Sequence, residues 1–162
     1  MADFVNAWPT GDGGATIVMS DNAALSLRSL VTRLRTALEP GRKSLPDHRL
    51  FPDAYAGKRE SEDFRARHGA EMRAEVIAAA DRVLAHWAGE PQVTLDPGRL
   101  RDWFLVMGHA QSLFRKPNRW HRRRLDRLFS DPRTGEGMEV LWLQRVQYLL
   151  ATAATGTPAP PC

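Results

Sequence analysis

Apolar residues recur at three- and four-residue steps in four stretches of the chain, and this spacing predicts four principal α-helices. These stretches run over about residues 21–38, 61–88, 97–114 and 136–154. Ser20 or Asp21 can cap the first helix and Ser61 the second, while Asp96 and Pro97 mark the start of the third. We therefore expect a mainly α fold with a bundle-like core of four principal helices.

The last predicted helix is apolar on almost every side, since Glu139 and Arg145 are the only charged residues in its body. A helix with such a circumference normally lies at the centre of its fold. We therefore expect Leu141 and Trp142 to be almost fully buried. On the third helix, the same periodicity places Phe104 on the buried face.

Both ends of the chain differ from this helical pattern. Two short β-prone runs surround the turn Pro9–Gly14, which predicts an N-terminal β-hairpin. A lone hairpin is marginally stable in water, so we expect it to pack on the outside of the helices. A short basic helix capped by Asn118 is predicted before the last helix. We expect one domain, residues 1–154, and a mobile Pro-rich tail, residues 155–162.

The composition is ordinary for a globular protein, with 43% hydrophobic and 26% charged residues. No apolar run approaches the ~20 residues that cross a bilayer, and the N-terminus lacks the features of a secretory signal. Cys162 is the single cysteine, so no disulfide can form within the chain. These features predict a cytoplasmic protein with no membrane partner.

One segment, residues 115–127, carries the net positive charge, with seven Lys or Arg against one Asp. Such a segment can contact nucleic-acid phosphates, bind an acidic protein, or form a solvated surface, which is the usual role of a charge run. A Trp among arginines favours a contact with a partner. The candidate residues of this basic segment are Arg115, Lys116, Arg119, Trp120, Arg122, Arg123, Arg124 and Arg127.

A second candidate is the loop between the first two helices, where apolar and charged residues alternate. This pattern suits a polar recognition surface, but it suits better a structural loop that docks on the core. In the structural interpretation an Arg or main-chain amides hold Asp53, and Phe51 and Tyr55 are mostly buried. The candidate residues are Arg49, Leu50, Phe51, Pro52, Asp53 and Tyr55, followed on the next helix by Phe64 and Arg65.

The titratable residues form no recognisable catalytic or metal-binding set. His68 and Glu71 can share a helix face, but two groups are too few to ligate a metal. Asp102 and His109 lie two turns apart on the third predicted helix, about 10 Å along its axis, too far for a direct acid–base pair. We therefore expect a protein that is not an enzyme and that has no catalytic residues, no metal and no cofactor.

Three stretches of the chain resemble a known family. They are the run from Arg49 to Tyr55 with the following Asp63–Arg65, the helix start Leu95–Pro97, and Leu141–Gln144. With the hairpin and the first helix they cover roughly residues 4–154. They are similar to an actinobacterial family called domain of unknown function two-zero-one-seven.

The resemblance implies a small, mostly helical cytoplasmic protein without established catalytic residues. It also implies a gene that often neighbours that of ClpS, the adaptor that delivers substrates to the Clp protease, and for some members a role in transcription. The chain departs from the family in residues 115–127. The resemblance implies an acidic or neutral segment between the third and last helices, whereas this chain is strongly basic there, so a nucleic-acid role would be particular to this chain.

From these observations we expect a small, non-enzymatic regulatory or adaptor protein that acts through a protein-binding surface, with the link to Clp-dependent proteolysis that the resemblance implies. The alternative is a transcriptional regulator that binds nucleic acid through residues 115–127. The sequence predicts a protein partner without identifying it, and it predicts no oligomeric state.

Overall fold

The computed structural model describes residues 4–41, 44–114 and 135–155, with side chains in the last range from residue 141 onward. The elements in chain order are β1 (Val5–Pro9), β2 (Ala15–Met19), α1 (Asp21–Leu38), α2 (Asp47–Leu50), α3 (Lys58–His86), β3 (Gln92–Leu95), α4 (Pro97–Ala110), a 3-10 turn (Gln111–Leu113) and α5 (Gly135–Thr155). The fold is mainly α with a small antiparallel sheet, as predicted. The predicted basic helix and residues 156–162 lie outside the described residues.

Helix α1 begins and packs as the sequence predicts. The Oγ of Ser20 accepts a hydrogen bond from the Ala23 N–H at 3.2 Å, which satisfies one free amide of the first turn. The helix ends before Glu39. Its buried stripe recurs at three- and four-residue steps through Ala24, Leu27, Val31, Leu34 and Leu38.

Helix α3 begins at Lys58, ahead of the position that the sequence predicts. Ser61 is not the cap of this helix. It lies in the first turn and is fully buried, because its hydroxyl binds the main chain of Tyr55. The helix ends at His86, and Trp87 follows as a fully buried residue.

The N-terminal hairpin is part of a three-stranded sheet. Strand β2 lies in the middle, between β1 and β3, and both pairings are antiparallel. Ala15 pairs with Leu95 and Ile17 with Val93, and all four side chains are buried. Strand β3 was not predicted, because four residues between two helices give too short an alternation to distinguish from a loop.

Helix α4 confirms its predicted start and most of its predicted buried face. Asp96 Oδ1 accepts a hydrogen bond from the Arg99 N–H at 2.8 Å, and Pro97 takes the first helical position. Trp103 and Met107 are fully buried. The prediction for Phe104 is wrong: this side chain is 46% exposed, because one step of about 100° past Trp103 takes it off the core side of the helix.

Helix α5 packs on α4 and on β1, and from residue 141 onward its other side is exposed at Leu141 and Tyr148. The prediction of a central helix with Leu141 almost fully buried is therefore wrong, since Leu141 is 45% exposed. Trp142 is only partly buried, so its prediction also fails. The residues that form the buried stripe are Leu143, Val146, Leu149, Leu150 and Ala153. Among the described helices, none combines the length and the apolar character that a membrane crossing needs.

Two indole rings occupy the junction of α1, α3 and α4. Trp87 and Trp103 are both fully buried, and their ring centroids lie 4.8 Å apart at an interplanar angle of 55°. Arg28 of α1 donates to the main-chain oxygen of Trp87 and so connects α1 to the end of α3.

Candidate functional site

Residues 49–55, a candidate site in the sequence, are called here the motif loop. The chain is held in a fixed position where this loop begins. Arg73 of α3 donates to Asp47 Oδ1 through Nη2 at 2.6 Å and through Nε at 3.1 Å. It also donates to the main-chain oxygens of Leu38 and Leu45. A Cβ on residue Gly69 would lie 3.0 Å from Asp47 Oδ2, so glycine there allows the close approach. Helix α2, which includes the first two residues of the motif loop, is thus held against α3.

The first half of the motif loop docks on the core, as predicted. Leu50 and Phe51 are 3% and 7% exposed, which confirms the prediction for Phe51. The Phe51 ring meets the imidazole of His109 edge-on, with 5.5 Å between ring centroids. This contact brings the loop against the C-terminal part of α4.

Asp53 is held by an arginine, as the sequence predicts. Arg65 Nη1 on α3 donates to Asp53 Oδ1 at 2.7 Å, and the Arg65 side chain is only 12% exposed. Asp53 itself is 63% exposed, so the pair contributes about 1 kcal/mol or less to stability. Its structural effect is to hold the exposed part of the loop beside α3.

Tyr55 departs from its prediction, because its side chain is 49% exposed. The buried hydroxyl of Ser61 accepts a hydrogen bond from the Tyr55 N–H and donates one to the Tyr55 main-chain oxygen, both at 3.0 Å. The main chain is therefore fixed while the ring faces outward. The ring contacts Phe64 edge-on at 5.8 Å, and Phe64 lies 4.8 Å from the His68 ring. We call Tyr55, Phe64 and His68 the aromatic cluster.

A cavity of about 270 Å³ lies among the motif loop, α4 and α5. This volume lies just below the usual range for ligand pockets. A Cβ on residue 108 would lie 2.8 Å from Gln147 Nε2, so the glycine at that position gives the Gln147 side chain its place at the cavity. The apolar part of the cavity wall consists of Leu50, Pro52, Phe104 and Leu105.

The polar part of the cavity wall comes from all three elements: Arg49, His109, Gln111 and Gln147. Arg49 Nη2 donates to the Ser112 main-chain oxygen at 2.9 Å. Gln111 Nε2 donates to Gln147 Oε1 at 2.5 Å, and Gln147 Nε2 donates to the Phe104 main-chain oxygen at 3.4 Å. The side chains are therefore positioned by hydrogen bonds to other residues that line the same cavity.

His109 is the titratable group with the most altered environment in this wall. Burial lowers the pKa of His109 below its ordinary value of 6.5, while a hydrogen bond to the main chain of Leu50 and the charge of Glu75 act in the opposite direction. A lowered pKa keeps the imidazole neutral at pH 7. Among the described residues that line the cavity, Arg49 carries a fixed positive charge and His109 is a ring able to take up a proton.

Asp102 and His109 make contacts with different parts of the structure. Asp102 accepts from Arg82 of α3 through both carboxylate oxygens, each at 2.7 Å. His109 faces the motif loop instead. Within the described ranges, no group of three or more His, Cys, Asp or Glu side chains is placed to hold a metal ion.

The structure divides the candidate residues of the sequence into two sets. Those of the motif loop and the start of α3 come together around the cavity and the aromatic cluster. The residues of the basic segment, from Arg115 to Arg127, lie outside the described residues, so its role stays a prediction.

Sequence analysis did not identify Ser61, His109 or Gln147 as parts of a site. Ser61 resembled a helix cap, and His109 was considered only as a partner of Asp102. Gln147 lies 39 residues from Gly108, and one sequence offers no signal that joins them. The pairing of a glycine on α4 with an amide on α5 becomes visible only when the helices are packed.

Comparison with known proteins gives one family match. The model of the family described as Domain of unknown function (DUF2017) matches residues 4–110, about two thirds of the chain, which include the sheet, the motif loop, α3 and α4. No curated protein and no solved structure matches the chain significantly.

Proposed function

Because the chain belongs to the DUF2017 family, whose description states no activity, we propose its function from its geometry: a small, non-enzymatic regulatory or adaptor protein that binds a partner protein through the aromatic cluster. The observation that carries this proposal is the fixed main chain of Tyr55 beneath a ring that is 49% exposed. A Tyr held in place before binding loses little conformational freedom on association.

The surroundings of the ring support a protein contact. Residues 52–56 are all exposed, so Tyr55 belongs to a continuous surface segment rather than to a groove. Arg65 and Asp53 form an ion pair that joins this segment to α3, and the centres of protein interfaces are enriched in Tyr. We infer a folded partner that offers a pocket to the Tyr55 ring, with the Arg65–Asp53 pair at the edge of the contact.

The proposal is tested by tagged pull-downs from native lysate treated with nuclease. Tyr55→Ala removes the ring and keeps both main-chain hydrogen bonds to Ser61, so the loop retains its position. Trp8→Ala, which removes another exposed aromatic ring (51% exposed), is the matched control. A partner retained by Trp8→Ala and lost with Tyr55→Ala supports the proposal. If Tyr55→Ala retains every partner of the parent protein, the aromatic cluster is not the binding surface.

The resemblance described above makes ClpS the first purified partner to test. Titration of ClpS against the parent protein, Tyr55→Ala and Trp8→Ala separates the link to Clp-dependent proteolysis from binding to other proteins. The expected absence of metal and of catalysis has its own measurements. Elemental analysis that finds one equivalent of zinc or iron contradicts the first, and hydrolase activity of the purified protein contradicts the second.

The charge of the basic segment favours a second candidate function, nucleic-acid binding by residues 115–127. Contacts to duplex phosphates give a log–log salt slope of about −0.9 per contact. Replacing Arg122, Arg123 and Arg124 together by Ser should then flatten the slope by up to about three units and weaken all sequences alike. An unchanged slope excludes this function for the segment.

A further inference from the structure

The cavity at the motif loop combines apolar side chains with hydrogen-bond donors and a positive charge. Leu50, Pro52 and Phe104 belong to the apolar part, and Arg49, His109 and Gln147 to the polar part. Of the described residues that line the cavity, none is an Asp or a Glu. We propose that this cavity binds a small organic acid: a carboxylate attached to a flat apolar body. The proposal goes beyond the proposed function, since it requires no partner protein.

The size of the cavity suits a single-ring acid. An apolar cavity of about 150 Å³ is enough to take benzene. The cavity here measures about 270 Å³, which leaves room for a carboxylate and for ordered water beside one ring. Larger ligands, such as nucleotides, need the upper part of the pocket size range.

The polar side chains favour an anion over a neutral or cationic ligand. The guanidinium of Arg49 is permanently charged, and its charge acts across the cavity whichever hydrogen bonds it makes. The side-chain nitrogens of Gln111 and Gln147 carry two N–H groups each. In both residues, one of these N–H groups donates to an acceptor in the cavity wall. Because the lining residues supply no negative charge, a carboxylate is attracted and an ammonium group is repelled.

His109 makes the site responsive to the ligand. Its hydrogen bond to the main chain of Leu50 fixes the orientation of the ring. The charged groups around it are Arg49 in the same cavity wall and Glu75 on α3. A carboxylate beside the ring favours the imidazolium form, so the pKa of His109 rises when the ligand binds. Binding is then accompanied by proton uptake.

Benzoate and its uncharged counterpart benzamide are the probes for this proposal. Both have the same flat ring, and they differ in the charge of the head group. We expect saturable binding of benzoate to the full chain, at least tenfold tighter than benzamide at pH 6.5, measured by calorimetry. His109 ring resonances, assigned by their loss in His109→Gln, should show a pKa at least half a unit higher with benzoate bound. Absence of benzoate binding, or equal affinity for benzamide, overturns the proposal.

Two variants complete the experiment. His109→Gln should weaken benzoate at least fivefold and leave benzamide unchanged, because the Gln amide can still donate to the Leu50 main chain but cannot take up a proton. Tyr55→Ala should bind benzoate like the parent protein, because Tyr55 does not line the cavity. Loss of benzoate binding in Tyr55→Ala places the ligand elsewhere and overturns the cavity assignment, while loss of a protein partner in that variant concerns only the proposed function.

Discussion

Trp87 and Trp103 form a buried ring pair 4.8 Å apart in which the two indole N–H groups have different environments. Trp87 Nε1 donates to the Glu90 main-chain oxygen at 2.9 Å. Trp103 Nε1 is buried and has no acceptor among the described residues. The same residue type thus occurs twice in one contact, once with a hydrogen bond and once without.

This asymmetry predicts unequal effects of one substitution. Both Trp87→Phe and Trp103→Phe remove similar ring volume, but only the first also removes the donor for the Glu90 oxygen. We expect Trp87→Phe to lower the free energy of unfolding by about 1–2 kcal/mol more than Trp103→Phe. Urea denaturation of the two variants measures the difference. Equal losses would mean that the Trp87 hydrogen bond has no net effect.

The hydroxyl of Ser61 is predicted to stabilise the motif loop. Ser61→Ala leaves the N–H and the main-chain oxygen of Tyr55 without their partner, which should cost about 1–2 kcal/mol of unfolding free energy. Ser29→Ala on the exposed side of α1 is the control and should stay within about 0.5 kcal/mol of the parent. Denaturant melts of the pair provide the test, and a Ser61→Ala value as small as the control contradicts it.

On α5, the fully buried leucine is not the one that was expected from the sequence. Leu143 is fully buried and Leu141 is 45% exposed. We therefore expect Leu143→Ala to destabilise the fold by about 2–5 kcal/mol. For Leu141→Ala we expect less than about 1 kcal/mol, because the side chain loses little burial. Thermal melts that place the larger effect at Leu141 would show that α5 packs on its other face.

The environment of His109 predicts a pH dependence of stability. Because burial places its folded-state pKa below 6.5, the unfolded chain binds the proton more readily. Stability should be unaffected by this group above about pH 7 and should fall as the pH drops from 6.5 through the lowered pKa. His109→Gln should flatten this part of the profile, whereas His86→Gln on the exposed end of α3 should preserve it. Unfolding free energies between pH 4.5 and 8 measure both variants.

Local signals were sufficient for much of the fold. Ser20 and Asp96 are caps, as predicted, because capping depends on residues only three positions away. The stripe of α1 follows from its periodicity alone. Ser61 could not be assigned in this way. A serine before a helical stretch can cap the helix, or its side chain can bind the main chain of an upstream loop, and local sequence does not distinguish the two roles.

The candidate site was predicted in part. The ion pair of Asp53 and the burial of Phe51 follow from the chemistry of a docked loop. The exposure of Tyr55 does not, because aromatic residues serve cores and interfaces alike. The cavity could not be predicted, since its wall joins Arg49, His109 and Gln147 from three separate elements.

The position of β3 in the chain has a consequence for synthesis on the ribosome. Strand β2 is complete at Met19, and Ala15 then has its partner Pro9 on β1, but its second partner, Leu95 on β3, emerges only later. At about 5–20 residues per second, synthesis from Met19 to Leu95 takes about four to fifteen seconds, and the hairpin lacks its third strand for that time. During that time the central strand of the sheet is an open edge. We expect protease resistance of residues 4–19 to rise in stalled nascent chains once residue 95 has left the exit tunnel. The N-terminal hairpin therefore completes its sheet only after β3, in the middle of the chain, has been synthesised.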